Sequence, residues 1–193
     1  LVECFNDYIA SKKKLNNKIY KFIYISTDEV YGDNILKKNY RSVEDDRFFP
    51  SSPYSSTKAS SEMIINAWYR TFKFPSIICR PSNNYGPYQN KEKFIPVIIS
   101  NFLQNSKIPV YGSGKQIRNW TFVNDTVNAL INIMDRSEIG KEYNISSDLE
   151  IENLKLIELI HSQLLKRGLI KNKNFKTYID YVPDRLGHDL RYS

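Results

Sequence analysis

The chain holds 193 residues, 41% of them hydrophobic and 25% charged, enough for one domain with its own core, or one domain carrying a small second lobe. No stretch approaches the roughly 18 consecutive apolar residues that a membrane-spanning helix needs, which speaks against a membrane partner. A formal net charge of +7 raises nucleic-acid binding; yet Lys and Arg are dispersed and the longest run, Lys12 to Lys14, reads as a solvated helix end, so no nucleic-acid partner is expected, and the excess charge is also compatible with a small anionic substrate.

In chain order, Leu1, Val2, Phe5, Tyr8 and Ile9 recur at helical spacing and predict a helix ending near Leu15. "KFIYIS" is an apolar run that suits a strand covered on both faces, as in a parallel sheet. It stops at Thr27, Asp28 and Glu29, a hydroxyl beside two carboxylates, which by itself is also what a polar turn looks like. Gly32 to Ser52 is charged and aperiodic, a loop. Pro53 behind Ser51 and Ser52 opens a helix through about Phe72. "SIICR" is a second buried strand, ended by Pro81 and the loop "SNNYGPYQ". A helix follows over Phe94 to Leu103, with Pro96 tolerable in its first turn. "IPVYGSG" and "QIRNWTFV" read as short strands around a glycine turn. The remainder is a helix near Asp125 to Met134, the strand "EYNIS", a helix near Glu152 to Lys166 and the strand "TYIDYV". Strands alternating with helices predict an α/β fold with parallel pairing.

Cys4 and Cys79 have no metal-ligand spacing and read as reduced thiols of a cytoplasmic protein, with no metal. The sequons "NWT", "NDT" and "NIS" are then chance matches. The N-terminal stretch places its charge after its apolar part and has no cleavage site, unlike a secretory signal, and a chain that starts at Leu1 reads as a partial sequence.

Tyr and Lys four residues apart lie on one face of a helix, where the ammonium is expected to lower the phenol's pKa and make it a usable base. Four such pairs occur: Tyr8/Lys12, Tyr54/Lys58, Tyr69/Lys73 and Tyr111/Lys115. Only Tyr54/Lys58 opens a helix after a strand that ends in a hydroxyl, so only it is expected at the carboxyl edge of the sheet, where ligands bind in open parallel sheets. Asp28 and Glu29 converge on one ligand only if their strand has already ended, and Gly32 supports such a break.

"STDEVYG", "SPYSSTKASSE", "RPSNNYGPYQNKEKFIP", "PVYGSGKQIRNW", "YNIS" and "DRLGHDLRY", in this order, resemble the extended short-chain dehydrogenase/reductase family and, within it, the 4,6-dehydratases of nucleotide sugars such as dTDP-glucose. The resemblance spans about Lys21 to Tyr192. It implies the C-terminal part of a Rossmann-type doubly wound parallel sheet, over about residues 1–82. A smaller α/β substrate-binding lobe is interleaved from about 83 to 193. It also implies NAD as cofactor and catalytic roles for Thr27, Asp28, Glu29, Tyr54 and Lys58. Tyr54 would take the C4 hydroxyl proton while Thr27 bonds the same oxygen. Glu29 would remove the C5 proton and Asp28 would protonate the departing C6 hydroxyl, with hydride passing to the cofactor and back to C6. Lys58 and Asn84 would contact the cofactor. Asn83, Lys93, Phe94, Pro109, Val110, Tyr111, Arg118, Asn153, Arg185 and His188 would surround the nucleoside diphosphate. Family members pair through the helices matching residues 1–15 and 54–72, so a homodimer is expected, with Met63, Ile64, Ile65, Ala67, Trp68 and Phe72 on its face.

Several positions depart from the family pattern. No glycine precedes Gly32, so the glycine-rich turn that holds a dinucleotide pyrophosphate has no counterpart. Three βα units of roughly 30 residues each, about 100 in all, would supply it. Leu186 replaces a Pro, Ser146 and Ser147 replace glycines, and the Asp33–Pro50 loop is long and basic. "GSGK" lacks the Walker spacing. The sugar is expected to be glucose-like with the base, dTDP or UDP, left open. A truncated noncatalytic sugar-nucleotide-binding or dimerising relative, and a basic nucleic-acid-binding domain, are the competing readings.

Overall fold

The computed structural model describes residues 1–13, 20–35 and 40–192. The predicted end of the first helix near Leu15 falls outside them; its described part, α1, is Val2–Lys13. Strand β1 (Phe22–Ile25) is followed by a 3₁₀ helix at Asp28–Tyr31 and helix α2 (Pro53–Phe72). Then come β2 (Ser76–Pro81), β3 (Asn83–Tyr85), α3 (Phe94–Leu103), β4 (Ile108–Tyr111), β5 (Ile117–Phe122) and α4 (Val123–Arg136). The last elements are β6 (Glu142–Ile145), β7 (Glu150–Glu152), α5 (Asn153–Lys166), a second 3₁₀ helix at Phe175–Tyr178, β8 (Ile179–Val182) and β9 (Arg191–Tyr192).

Parallel strands β1, β2 and β6 form one sheet in that order, with Ile23 opposite Ile77 and Cys79 opposite Tyr143. Because all three run the same way, Ile25, Pro81 and Ile145 end at one edge. The ladder continues past it, Ser26 N donating to Cys79 O at 2.7 Å and Ser82 N to Ile145 O at 2.9 Å. Ile77, Cys79 and Ile145 pack with Ala129, Leu130 and Ile133 of α4, the apolar stripe of that helix closing one face. β2 is buried along its whole length, but β1 is not covered on both faces as its sequence suggested. It borders only β2 among the described residues, and Ile25 is exposed.

A second group of strands crosses this edge. β3 and β9 run parallel to β5, whereas β7 pairs with it antiparallel, the exception to the expected parallel pairing. β4 and β5 flank the glycine turn as predicted, yet join different sheets, β4 pairing with β8. Thr177 and Tyr178, expected in that last strand, belong to the 3₁₀ turn before it. A separate core buries Ile98 and Phe102 of α3, Ile108 and Val110 of β4, and Ile157 and Leu164 of α5 together. Among the described residues no helix is long and apolar enough to cross a membrane.

Candidate active site

Local chemistry sets the turn after β1. Thr27 is extended (φ −155°, ψ 151°), and its hydroxyl accepts from Glu29 N at 3.3 Å, capping the 3₁₀ helix that carries Asp28 and Glu29. Gly32 ends it at φ +73°; a Cβ there would lie 2.0 Å from Phe49 O, so only glycine fits. The strand has therefore ended before the acid pair, as its convergence requires. Tyr54 lies in the first turn of α2, opened by Pro53 and a capping box in which the Ser52 and Ser55 side chains serve each other's backbone N–H groups.

Three cavities adjoin at the carboxyl edge, and Lys93, Arg185 and Tyr192 line all of them. Thr27, Glu29, Tyr54, Asn83, Asn84, Lys93 and Phe94 line one of about 490 Å³. Glu29, Tyr54, Arg118 and His188 share a second of about 420 Å³ with Asp189. Pro109, Val110, Tyr111, Asn153, Arg118, Arg185 and His188 line a third of about 420 Å³. The edge after β1 supplies hydroxyls and a carboxylate, and residues 93–192 supply cations and aromatic rings. Trp120, Tyr192 and Asp189 are lining residues that sequence reasoning did not single out, although all three stand inside the motifs "QIRNW" and "GHDLRY". Phe94 and Trp120 stack with centroids 6.3 Å apart.

Asp28 and Lys58 line none of these cavities. Asp28 is 6% exposed, and neither carboxylate oxygen has a hydrogen-bond partner. Burial first, and the neighbouring Glu29 second, raise its pKa from 3.8 to about 8. Glu29 is also raised, chiefly by burial, but Arg118, Arg185 and Lys93 all pull it back toward the ionised form, where Arg118 is the one cation that does so for Asp28. The acid pair is thus asymmetric. Lys58 departs from expectation. Its ammonium donates to Ile25 O at 2.7 Å and sits over the Tyr24 ring, 4.9 Å from the centroid. The Tyr54 phenol is raised rather than lowered, by burial and then by the Glu29 charge. The i, i+4 spacing puts both side chains on one face of α2, but the open carbonyl at the end of β1 draws the lysine away.

Arg118 is 5% exposed, packs 4.1 Å over the Tyr192 ring and donates to Ile117 O, Leu190 O and Asp189 O, so part of its fork holds the C-terminal strap. Arg185 on that strap lies over the Tyr111 ring. Its Nη2 is 3.2 Å from His188 Nε2, and His188 Nδ1 is 2.6 Å from Asp184 Oδ1. Asn84 Oδ1 accepts from Thr126 at 2.5 Å, fixing its amide beside the first cavity.

A family model described as GDP-mannose 4,6 dehydratase matches residues 3–193. The chain belongs to that family. Among members of this dehydratase family, the chain is 41% identical to a dTDP-glucose 4,6-dehydratase of Haemophilus influenzae, the match covering all of this chain and 58% of that protein. The crystal structure of a dTDP-glucose 4,6-dehydratase from Bacillus anthracis, in complex with NAD, superposes with a TM-score of 0.81 at 40% identity, over 96% of this chain and 55% of that one. UDP-glucuronic acid 4-epimerase from Bacillus cereus, in complex with UDP-glucuronic acid and NAD, gives 0.78 at 26% identity, over 91% and 52%. The chain spans somewhat more than half the length of the curated relatives it matches. Its fold is that of a Rossmann-type nucleotide-sugar dehydratase or epimerase, as expected.

Proposed function

We propose that the protein carries the catalytic and substrate-binding part of a dTDP-glucose 4,6-dehydratase, converting dTDP-glucose to the 4-keto-6-deoxy sugar by oxidation at C4, loss of water across C5–C6 and reduction at C6. The observation that supports this reading most is the asymmetric acid pair: a carboxyl held protonated to about pH 8 beside one that burial also raises but that three cations pull back, with a phenol on the same cleft. An epimerising site has no use for that pairing, whereas elimination of water needs one acid and one base. The identity to dTDP-glucose 4,6-dehydratases favours dTDP-glucose over UDP-glucose.

The residues present fit NAD. Ser26 Oγ is buried without a partner on the cavity that Tyr54 and Asn84 line, and Lys58 stands at the strand end beside it. Tyr54, Lys58 and Asn84 would hold its nicotinamide end, and when bound it takes up hydride from the sugar and gives it back. The chain's own groups handle the protons. Tyr54, in its ionised phenolate form, receives the C4 hydroxyl proton, with Thr27 bonded to the same oxygen. The C4 carbonyl so formed acidifies C5, and Glu29 removes the C5 proton. Asp28, its side chain turning outward from behind Thr27, gives a proton to the C6 hydroxyl, which leaves as water. Arg118, Arg185, Lys93 and His188 neutralise the diphosphate, the guanidinium groups by paired N–H donors, and Asn83, Phe94, Pro109, Val110, Tyr111 and Asn153 enclose the nucleoside.

The same reading places the protein in the cytoplasm as a homodimer. Supporting it, Met63, Ile64, Ala67 and Phe72 are exposed along α2. Ile65 and Trp68 do not belong to that face: Ile65 is buried, and Trp68 packs on Phe72 and Phe74 of its own chain. Met63→Glu with Ile64→Glu should shift sedimentation from dimer to monomer; an unchanged sedimentation coefficient refutes the pairing. For the activity, the intact gene product is incubated with NAD and either dTDP-glucose or UDP-glucose, and the products are followed by NMR. A 4-keto-6-deoxy product formed faster from dTDP-glucose is expected; a 4-epimer, or no turnover, overturns the proposal.

A further inference from the structure

Arg80, the last residue but one of β2, is 1% exposed and touches none of the three cavities, so nothing in the proposed chemistry uses it. Its guanidinium nevertheless joins the two elements that carry that chemistry. One edge grips Glu62 of α2, Nε at 2.9 Å and Nη2 at 2.6 Å from Oε2. Glu62 is fully buried and lies one helical turn beyond Lys58 and two beyond Tyr54, on their side of the helix. The other corner, Nη1, donates at 2.6 Å to the hydroxyl of Tyr31, the last residue of the 3₁₀ helix bearing Asp28 and Glu29. Burial pushes that phenol's pKa up to about 12, so it keeps its proton and donates onward to Asn144 Oδ1 at 2.8 Å. Glu142 of β6 also bonds Arg80, Nη1 donates as well to Glu44 O at 3.2 Å, and the guanidinium carbon lies 5.3 and 4.9 Å from the centroids of the Tyr31 and Phe48 rings, which meet each other edge to face. Every donor direction of the fork is thereby fixed.

We propose that Arg80 is a positioning residue that sets the separation of Tyr54 from Asp28 and Glu29 by clamping α2, through Glu62, to the acid-bearing turn, through Tyr31. A lysine has the charge for Glu62 but no second edge for Tyr31, so the clamp demands the planar fork. Positioning within about 1 Å governs rates by roughly 10²-fold, and this clamp lies one residue beyond the Asp28–Glu29–Val30 segment.

The proposal rests on the dehydratase reading for its kinetic test and not for its structural one. Tyr31→Phe, Arg80→Lys and the double variant are made in the intact protein. Each single change should lower kcat at least about tenfold with KM within about twofold, well below its unfolding temperature. The double variant should be no slower than the slower single, since both cut one link. Amide exchange of Asp28 to Gly32 should quicken in each. Unchanged kcat with a lowered melting temperature, or multiplicative losses in the double variant, overturns the clamp and leaves Arg80 a core ion pair. If Arg80→Lys does not fold, Tyr31→Phe decides alone. If the wild type does not dehydrate sugar nucleotides, the proposed function fails; exchange in Tyr31→Phe still judges the clamp, faster supporting it and unchanged refuting it.

Discussion

Asp28 with Glu29 and Glu62 with Glu142 are two acidic pairs in one chain, and their fates are opposite. Asp28 and Glu62 are comparably buried, but Glu62 meets a bidentate guanidinium whereas Asp28 has no ion-pair partner and feels Arg118 only through space. Partnering, rather than burial, separates an acid that holds the fold together from one that stores a proton. Glu62 lies inside, between α2 and the sheet; of the other pair Glu29 lines the cleft and Asp28 sits behind it, so cations reach Glu29 more than Asp28.

The contrast breaks most visibly if the unpartnered pair is dispensable. Asp28→Asn together with Glu29→Gln should cut formation of the 4-keto-6-deoxy sugar by about 10²- to 10⁴-fold, measured as initial rate at saturating substrate; an undiminished rate removes the acid and base roles. The stored proton has a thermodynamic signature. Asp28's folded pKa, about 8, exceeds the 3.8 of a free aspartate, so the native state binds more protons than the unfolded one between those values. Stability should therefore be full near pH 4, fall as pH rises toward 8 and level off above, by on the order of 5 kcal/mol in all. Urea unfolding across that range reads the slope, and Asp28→Asn should flatten it.

For the partnered pair, Arg80→Met leaves Glu62 buried beside no cation and should destabilise by about 3–5 kcal/mol, read from the urea midpoint. A smaller loss than the Asp28 slope would still sharpen the comparison; none at all would show that the ion pair contributes nothing. Smallest is the backbone effect. Gly32→Ala, at φ +73° against Phe49 O, should cost about 1–3 kcal/mol by thermal unfolding and also displace the turn that carries both acids.

Element boundaries were readable where local chemistry is complete in itself. Helix α2 starts at Pro53 behind its Ser52 cap and ends at Phe72, and α3 runs Phe94 to Leu103, both as the sequence predicts. The residue types around the cleft were readable too, because they stand in motifs whose order matches a family, and all but Asp28 and Lys58 line its cavities. The expected lowering of the Tyr54 phenol by Lys58 failed because i, i+4 spacing fixes a shared face and not a partner; the ammonium bonds a carbonyl 33 residues away. The Arg80 network was invisible for the same reason. Its members at positions 31, 62, 80 and 142 carry no spacing, and in the sequence Arg80 is just the last letter of "SIICR".

What the amino-acid order determined alone was the list of elements, their caps and turns, and the set of chemical groups available, since propensity, periodicity and capping act within a few residues. Which carboxyl keeps its proton, which lysine serves the cleft and which arginine ties helix to turn were decided by the folded chain. Desolvation and charge pairing depend on distances through space, and those exist only once strands far apart in the chain end at one edge.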